Sequence, residues 1–323
     1  MLQRVLSLTK FSGINNVEEE LRLPYRGGRS FLSEARNVDI DDSGRIITRK
    51  DMSLVESGSF SSLWSDGEFL YGVRNGNVFK GTPGNLVDLC PVTRERVKFC
   101  KGADRVFFTG EVYMGEILNF EYSFPEEEIT KQYNRTTHEL LDKNFSSAGV
   151  DSLETVKLYA MPTADFCTVY GARLVVAKGN NLLFSAPFNY LYTVPFNYIQ
   201  LPARVTSLVG VDNKFLFVGT NKGSIALHGE SNNFELVRLT EGKVFLDSAR
   251  IVHSSKLLDQ DERGEKFVVF AQPSGVYVTN GRVANKLTPH YFIGEKKVRG
   301  AYIKVAKNED AYPFYQYCLI MEE

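Results

Sequence analysis

The sequence predicts an all-β protein, a single irregular β-propeller of about five to six blades with an extended N-terminal arm and hairpin. Three observations carry this. Aromatic and β-branched runs meet Gly/Asn turns five times, and each is answered by a second extended run. These units recur at intervals of about 40–50 residues with one longer gap, the spacing of propeller blades. Phe (23) and Tyr (16) far outnumber the single Trp, a usage suited to pleated, half-buried surfaces.

Residues 1–57 form the arm and hairpin, and 58–323 form the body with an insertion around 121–153. Leu21, Pro24, Gly27 and Gly28 lie among arginines without sustained periodicity, which reads as an extended arm. Arg22, Arg26, Arg29, Arg36, Arg45 and Arg49 are its candidate subunit-docking residues, because guanidinium groups on such an arm pair well with carboxylates of a neighbouring subunit. Residues 37–40 and 45–49 alternate on either side of a Gly-containing turn at 41–44, a hairpin signal; its plainest role is to supply an outer strand to a neighbouring sheet.

In the body the paired runs are 69–74 with 77–80, 105–109 with 111–114, and 173–177 with 181–184. Residues 214–218 with 224–227 and 266–270 with 276–278 follow, and a last extended run covers 314–320. One such hairpin cannot bury its own apolar face, whereas a ring of them can. Residues 125–151 are the least β-like; with Asn134, His138, Ser146 and Ser147 they are expected to form a short helix or an insertion on one rim. Pro187-Phe188-Asn189-Tyr190 is nearly repeated as Pro195-Phe196-Asn197-Tyr198, read as two aromatic plugs covering a blade edge.

Composition sets outer bounds. A formal net charge of −1 gives no chain-wide attraction to nucleic acid or anionic lipid. No apolar run is long enough to span a bilayer, and no signal-peptide core follows Arg4 and Lys10. Cysteines 90, 100, 167 and 318 show no pairing pattern and read as buried small hydrophobes in a reducing cytosol.

Candidate chemistry is sparse. Asp39, Asp41 and Ser43 copy half a calcium loop, but Lys50 stands where its bidentate Glu belongs. His138, His228, His253 and His290 have no zinc spacing, and no nucleophile elbow or phosphate-cradling loop is present. Ser65-Asp66-Gly67 faintly matches an Asp-box turn, once. A propeller glycosidase would need two carboxylates from different blades, and Asp104, Asp165, Asp212 and Glu265 look like ordinary turn acids. The expectation is a non-enzymatic protein without catalytic residues, cofactor or metal.

Phe11-Ser12-Gly13-Ile14-Asn15-Asn16-Val17, then Leu21 and Leu23-Pro24, are followed by Glu34-Ala35-Arg36-Asn37-Val38-Asp39-Ile40-Asp41 and Ser43-Gly44-Arg45. This series resembles the opening of phage β-propeller virion proteins, among them the tail hub, nozzle or packaged-DNA-stabilisation proteins of short-tailed phages. Ser62-Leu63-Trp64-Ser65-Asp66-Gly67, Tyr170-Gly171 with Arg173-Leu174, and Phe184-Ser185 with Pro187 to Tyr190 fit the same pattern. The resemblance implies a structural tail component (nozzle, hub or neck), made in the bacterial host cytoplasm and carried in the virion as a ring around the DNA exit path. It further implies partners among other tail and neck proteins, a homo-oligomer with hexamer favoured by tail symmetry, no membrane segment, and at most non-specific contact with DNA in the lumen. The alternative is a carbohydrate-binding or glycan-cleaving propeller acting at the host surface, with Tyr190, Tyr192, Phe196 and Tyr198 as its platform.

Overall fold

The computed structural model describes four short strands within residues 1–55. Beyond them it describes residues 56–92, 96–110, 112, 114–134, 139–142, 153–229, 233–253, 265–289, 291–306 and 314–321. All regular structure among the described residues is β. Strand β1 (Phe11–Ile14) pairs in parallel with β2 (Ser30–Leu32). Strands β3 (Val38–Ile40) and β4 (Ile46–Thr48) form the antiparallel hairpin expected around 41–44.

Five four-stranded antiparallel blades follow. The first is β5 (Phe60–Ser65), β6 (Leu70–Arg74), β7 (Asn77–Thr82) and β8 (Asn85–Pro91). The second is β9 (Lys98–Gly102), β10 (Arg105–Thr109), β11 (Met114–Leu118) and β12 (Glu121–Ser123). Next come β13 (Glu128–Asn134), β14 (Glu139–Asp142) and β15 (Leu153–Ala160), which belong to an inserted sheet. The third blade starts with β16 (Phe166–Tyr170), β17 (Arg173–Lys178) and β18 (Asn181–Phe184). From there β19 (Tyr192–Thr193) leaves to pair with β15, and β20 (Tyr198–Gln200) returns to finish the blade beside β18.

The fourth blade is β21 (Val205–Val211), β22 (Phe215–Thr220), β23 (Gly223–His228) and β24 (Glu235–Glu241). The fifth is β25 (Arg250–His253), β26 (Lys266–Gln272), β27 (Gly275–Thr279) and β28 (Ala284–Lys286). Strands β29 (Val298–Ala306) and β30 (Phe314–Met321) close the body as a two-stranded sheet. Five full blades and one half-width sector make the irregular propeller that the sequence predicts.

Two expectations need correction. The five hairpins prove to be the middle pairs of their blades, and the second partner strand starts at Met114 instead of 111. The reason is burial. Every residue of β22 is buried, and so are six of the seven in β26, because neighbouring blades cover both faces. Strands covered on both faces read as continuous apolar runs, whereas β5 alternates half-buried with exposed positions and gives a weaker signal. Of the two forms expected for 125–151, the described residues hold no helix and show the insertion. Strand β12 belongs to the second blade, and β13 pairs with β15 over seven registered positions in the inserted sheet.

The core lies between the sheets. Tyr71, Val78, Phe99 and Phe108 join the first and second blades. Phe107 and Met114 pack with Cys167 and Leu174 between the second and third. Val175, Leu182, Leu208 and Leu216 join the third and fourth. Between the fourth and fifth, the rings of Phe217 and Phe270 meet at 4.8 Å. Val252 and Phe267 cover Ile303 and Tyr317 of the last sheet. Each fully buried Phe or Leu contributes roughly 1.5–3 kcal/mol, so cohesion comes from stacking blades rather than from any single one. Glycine permits the tightest approach: a Cβ on Gly210 of β21 would lie 2.2 Å from the Val169 carbonyl oxygen of β16.

Candidate functional site

Strands β5, β9, β16, β21, β25 and β29 are the innermost strand of each sector, and each supplies residues to one central cavity of about 940 Å³. Near its wall four charged side chains converge. Asp247, in the loop entering β25, accepts from Arg250 Nη1 at 3.2 Å and Arg250 Nη2 at 3.2 Å. Lys98 Nζ also donates to Asp247 Oδ2, and Arg96 Nη2 reaches the same oxygen at 3.4 Å. Arg96 donates as well to the Arg299 carbonyl of β29, and the Ala301 N–H donates to the Asp247 carbonyl at 3.1 Å. Three sectors of the ring thus meet at one residue, two at the Asp247 carboxylate and the last at its backbone carbonyl.

Burial alone would raise the Asp247 carboxyl, but the charges of Lys98 and Arg250 outweigh it and hold the group down at about 2. Burial pushes the Lys98 ammonium down to about 8; Asp247 opposes this, while Arg96 and Arg250 add to it. Asp247 (φ +51°) and Ser62 (φ +57°), both on the cavity wall, occupy the left-handed region. The Ser62 hydroxyl accepts the Val97 N–H at 2.8 Å, fixing the start of β9.

A second feature lies on the third blade. Residues 186–189 and 194–197 form two matching turns, closed by Asn189 N–H to Ala186 O (3.1 Å) and Asn197 N–H to Val194 O (3.4 Å). Each has Pro at its second position and Phe at its third, with φ +58° at Phe188 and +64° at Phe196. A turn with positive φ there favours Gly or Asn, and a bulky residue in that region is a genuine outlier. Both rings nonetheless face outward, Phe188 77% and Phe196 89% exposed. Asn197 Nδ2 donates to the Phe184 carbonyl at 2.7 Å and anchors the second turn.

This corrects the reading of the repeat as two aromatic plugs. Tyr190 does plug, its ring 4.9 Å from Phe107, but the phenylalanines project. The four-aromatic platform is not assembled either. Tyr190 and Tyr192 pack against the core cluster around Phe107, leaving Phe196 and Tyr198 exposed.

Other residues singled out in the sequence resolve simply. Arg22, Arg26, Arg29, Arg36, Arg45 and Arg49 lie outside the described residues, as do His138 and His290. Asp66 caps its turn, accepting the Glu68 and Phe69 N–H groups and pairing with Lys101 at 3.0 Å. Asp165, Asp212 and Glu265 pair with Arg204, Lys266 and Lys214, and none of them, nor Asp104, lines the cavity. His228 Nε2 lies 2.8 Å from the Gly281 carbonyl. No group of three or more His, Cys, Asp or Glu suited to a metal occurs among the described residues. Cys90, Cys100 and Cys167 are buried and Cys318 half-buried, all as free thiols. The axial cluster itself gave no local signal, since Arg96 and Lys98 are about 150 positions from Asp247 and adjoin it only in the closed ring.

No protein-family model and no curated protein matches the chain. Among solved structures it is similar to apo AztD from Citrobacter koseri, at TM-score 0.42 and 13% identity over 79% of this chain and 80% of that one. It is similar to the Neurospora crassa Pan2 WD40 domain at TM-score 0.35 and 12% identity, over 76% and 83% of the two chains. An extracellular domain assigned to a hybrid two component system of B. thetaiotaomicron matches at TM-score 0.39 and 10% identity. That match covers 81% of this chain, which spans only 31% of the other's length. The propeller is read from the strand arrangement itself.

Proposed function

We propose that this chain is a non-enzymatic structural protein of a phage tail, placed at the nozzle, hub or neck and assembling with copies of itself as a ring around the DNA exit path. The N-terminal resemblance supports the virion setting. The observation that carries an assembly role is the pair of projecting phenylalanines, Phe188 and Phe196, held at positive φ. Backbone strain of about 1–3 kcal/mol per residue persists where the surroundings over-determine it and concentrates at binding sites. Two largely solvated aromatic rings at strained turns bury little apolar surface within the chain, and they suit insertion into a partner.

In this reading the propeller supplies rigid shape, the Phe188 and Phe196 turns dock on a neighbouring subunit or tail protein, and the 1–57 arm reaches across the joint. Ring formation follows if the contacts are heterologous and close; six copies are favoured by the tail symmetry the resemblance implies. Light scattering on the purified full chain, alone and with other virion proteins, tests it. Discrete rings that Phe188→Ser and Phe196→Ser weaken would support the proposal. A persistent monomer that instead binds glycans saturably through Phe196 and Tyr198 would replace it with the carbohydrate-binding alternative.

A further inference from the structure

The axial cavity holds more positive charge than its central carboxylate can answer. Arg96, Lys98 and Arg250 all point at Asp247, and Lys243, Lys296, Lys297 and Arg299 line the same space. Leaving aside Lys297 and Arg299, which make further contacts of their own, five basic groups face two acidic ones, Asp247 and Glu295. The chain as a whole carries a formal charge of −1, so the surplus is local. Like-signed charges in a walled cavity focus their field on any counter-ion that enters. Guanidinium and ammonium donors are also the groups that recognise phosphate oxygens.

The ionisation of the cluster leans the same way. Lys98 holds its proton less firmly than usual, while Asp247 gives its own up more readily. The neighbouring cations set the Asp247 shift, whereas burial is the main cause at Lys98, with Arg96 and Arg250 adding to it. Apart from Arg96, Arg250 and Asp247, the group facing Lys98 Nζ is the Phe166 ring, 5.8 Å away, which cannot neutralise it. The side chains of Lys98 and Asp247 are each only 17% exposed, so water screens this imbalance poorly.

We propose that the axial cavity is a binding site for a phosphate-bearing oxyanion of two or more negative charges, held by Arg96, Lys98 and Arg250 while Asp247 fixes those three donors in place. Its volume of about 940 Å³ exceeds the needs of inorganic phosphate and suits a polyphosphate or a nucleotide-sized group. The ligand phosphate comes either from a free small molecule or from a nucleic-acid strand end. The site does not depend on the tail role proposed above.

Isothermal titration of the full chain at low ionic strength, with tripolyphosphate as probe, tests the proposal. One saturable site per chain is expected, with affinity lowered about tenfold or more by Arg96→Gln or Lys98→Gln, the loss of one charge-assisted hydrogen bond. Lys157→Gln, a 60% exposed lysine of the inserted sheet, should leave affinity unchanged. If Lys98→Gln unfolds by circular dichroism, Arg96→Gln, 43% exposed, carries the test. Displacement of tripolyphosphate by a short single-stranded oligodeoxynucleotide supports the site and assigns its ligand to nucleic acid; saturable binding without displacement supports it and assigns a free small molecule. Absence of saturable heat, or equal weakening by Lys157→Gln, overturns it.

Discussion

Lys98 and Asp247 meet across 149 positions of sequence and join the second blade to the loop that enters the fifth. Because Arg96 and Arg250 share the same carboxylate, this contact acts as a hub for the ring. Asp247→Ala removes the common acceptor and strands three cations in a confined space. A loss of about 3 kcal/mol is expected, read as a lowered urea midpoint at pH 7. Lys98→Met should cost less, since Arg250 still pairs with the carboxylate.

The same hub fixes a pH response. The Asp247 carboxyl lies lower in the folded protein than its ordinary 3.8. Its contribution is therefore fully present above about pH 4 and is lost as pH falls toward 2. Lys98 acts oppositely, since its folded value of about 8 lies below the ordinary 10.5. The unfolded chain then binds the proton more tightly, so Lys98 lowers stability below pH 8 and this penalty is relieved as pH rises from 8 toward 10.5. Urea midpoints measured across pH 2–5 for wild type and Asp247→Asn should diverge with rising pH; parallel curves would count against the assignment.

Phe188→Gly and Phe196→Gly relax the two strained turns. Each should raise stability by about 0.5–1 kcal/mol, the relief of left-handed strain less the added chain entropy of glycine. The double variant should show a higher melting temperature together with weaker assembly. A drop in melting temperature would mean that the rings pack where they are thought to project.

Gly210→Ala tests the close approach of adjacent blades. The added methyl would lie 2.2 Å from the Val169 oxygen, and the Gly210 N–H to Thr168 Oγ1 bond of 2.8 Å would stretch. Overpacking of this kind costs about 1–3 kcal/mol, visible as an earlier thermal transition.

Cys90, Cys100 and Cys167 should resist a thiol reagent in the native protein and react on unfolding. Burial pushes the Cys90 thiol up to about 11, so thiolate is scarce at pH 8. Rapid modification of all four cysteines without denaturant would contradict the packing between blades.

The middle strands were legible in sequence because blades cover them on both sides. Leu216 to Val218 and Val268 to Phe270 are apolar without interruption, and no turn chemistry was needed to find them. The inner strand Phe60–Ser65 escaped because only alternate side chains face the neighbouring blade. The insertion was legible as a break in the β-pattern, but its strands escaped because Glu128–Asn134 is mostly polar and β19 joins from beyond the third blade's hairpin with only two residues. Sequence also singled out the Pro-Phe-Asn-Tyr repeat while reading it as two plugs over a blade edge; the outward direction of its phenylalanines depends on a backbone angle that composition does not encode. The axial charges were illegible for a simpler reason, since four scattered residues become neighbours only once the ring has closed.

The last sector, β29 with β30, has two strands where every full blade has four. Among the described residues, at roughly 4.8 Å per strand, the outer edge of this sheet stops about 10 Å short of a full blade's, a gap of two strands. That gap has the width of the β3–β4 pair, from this chain or from an adjacent one. A ring with one narrower sector is not equivalent at every angle about its axis, so a contact made there distinguishes one angular setting from the others.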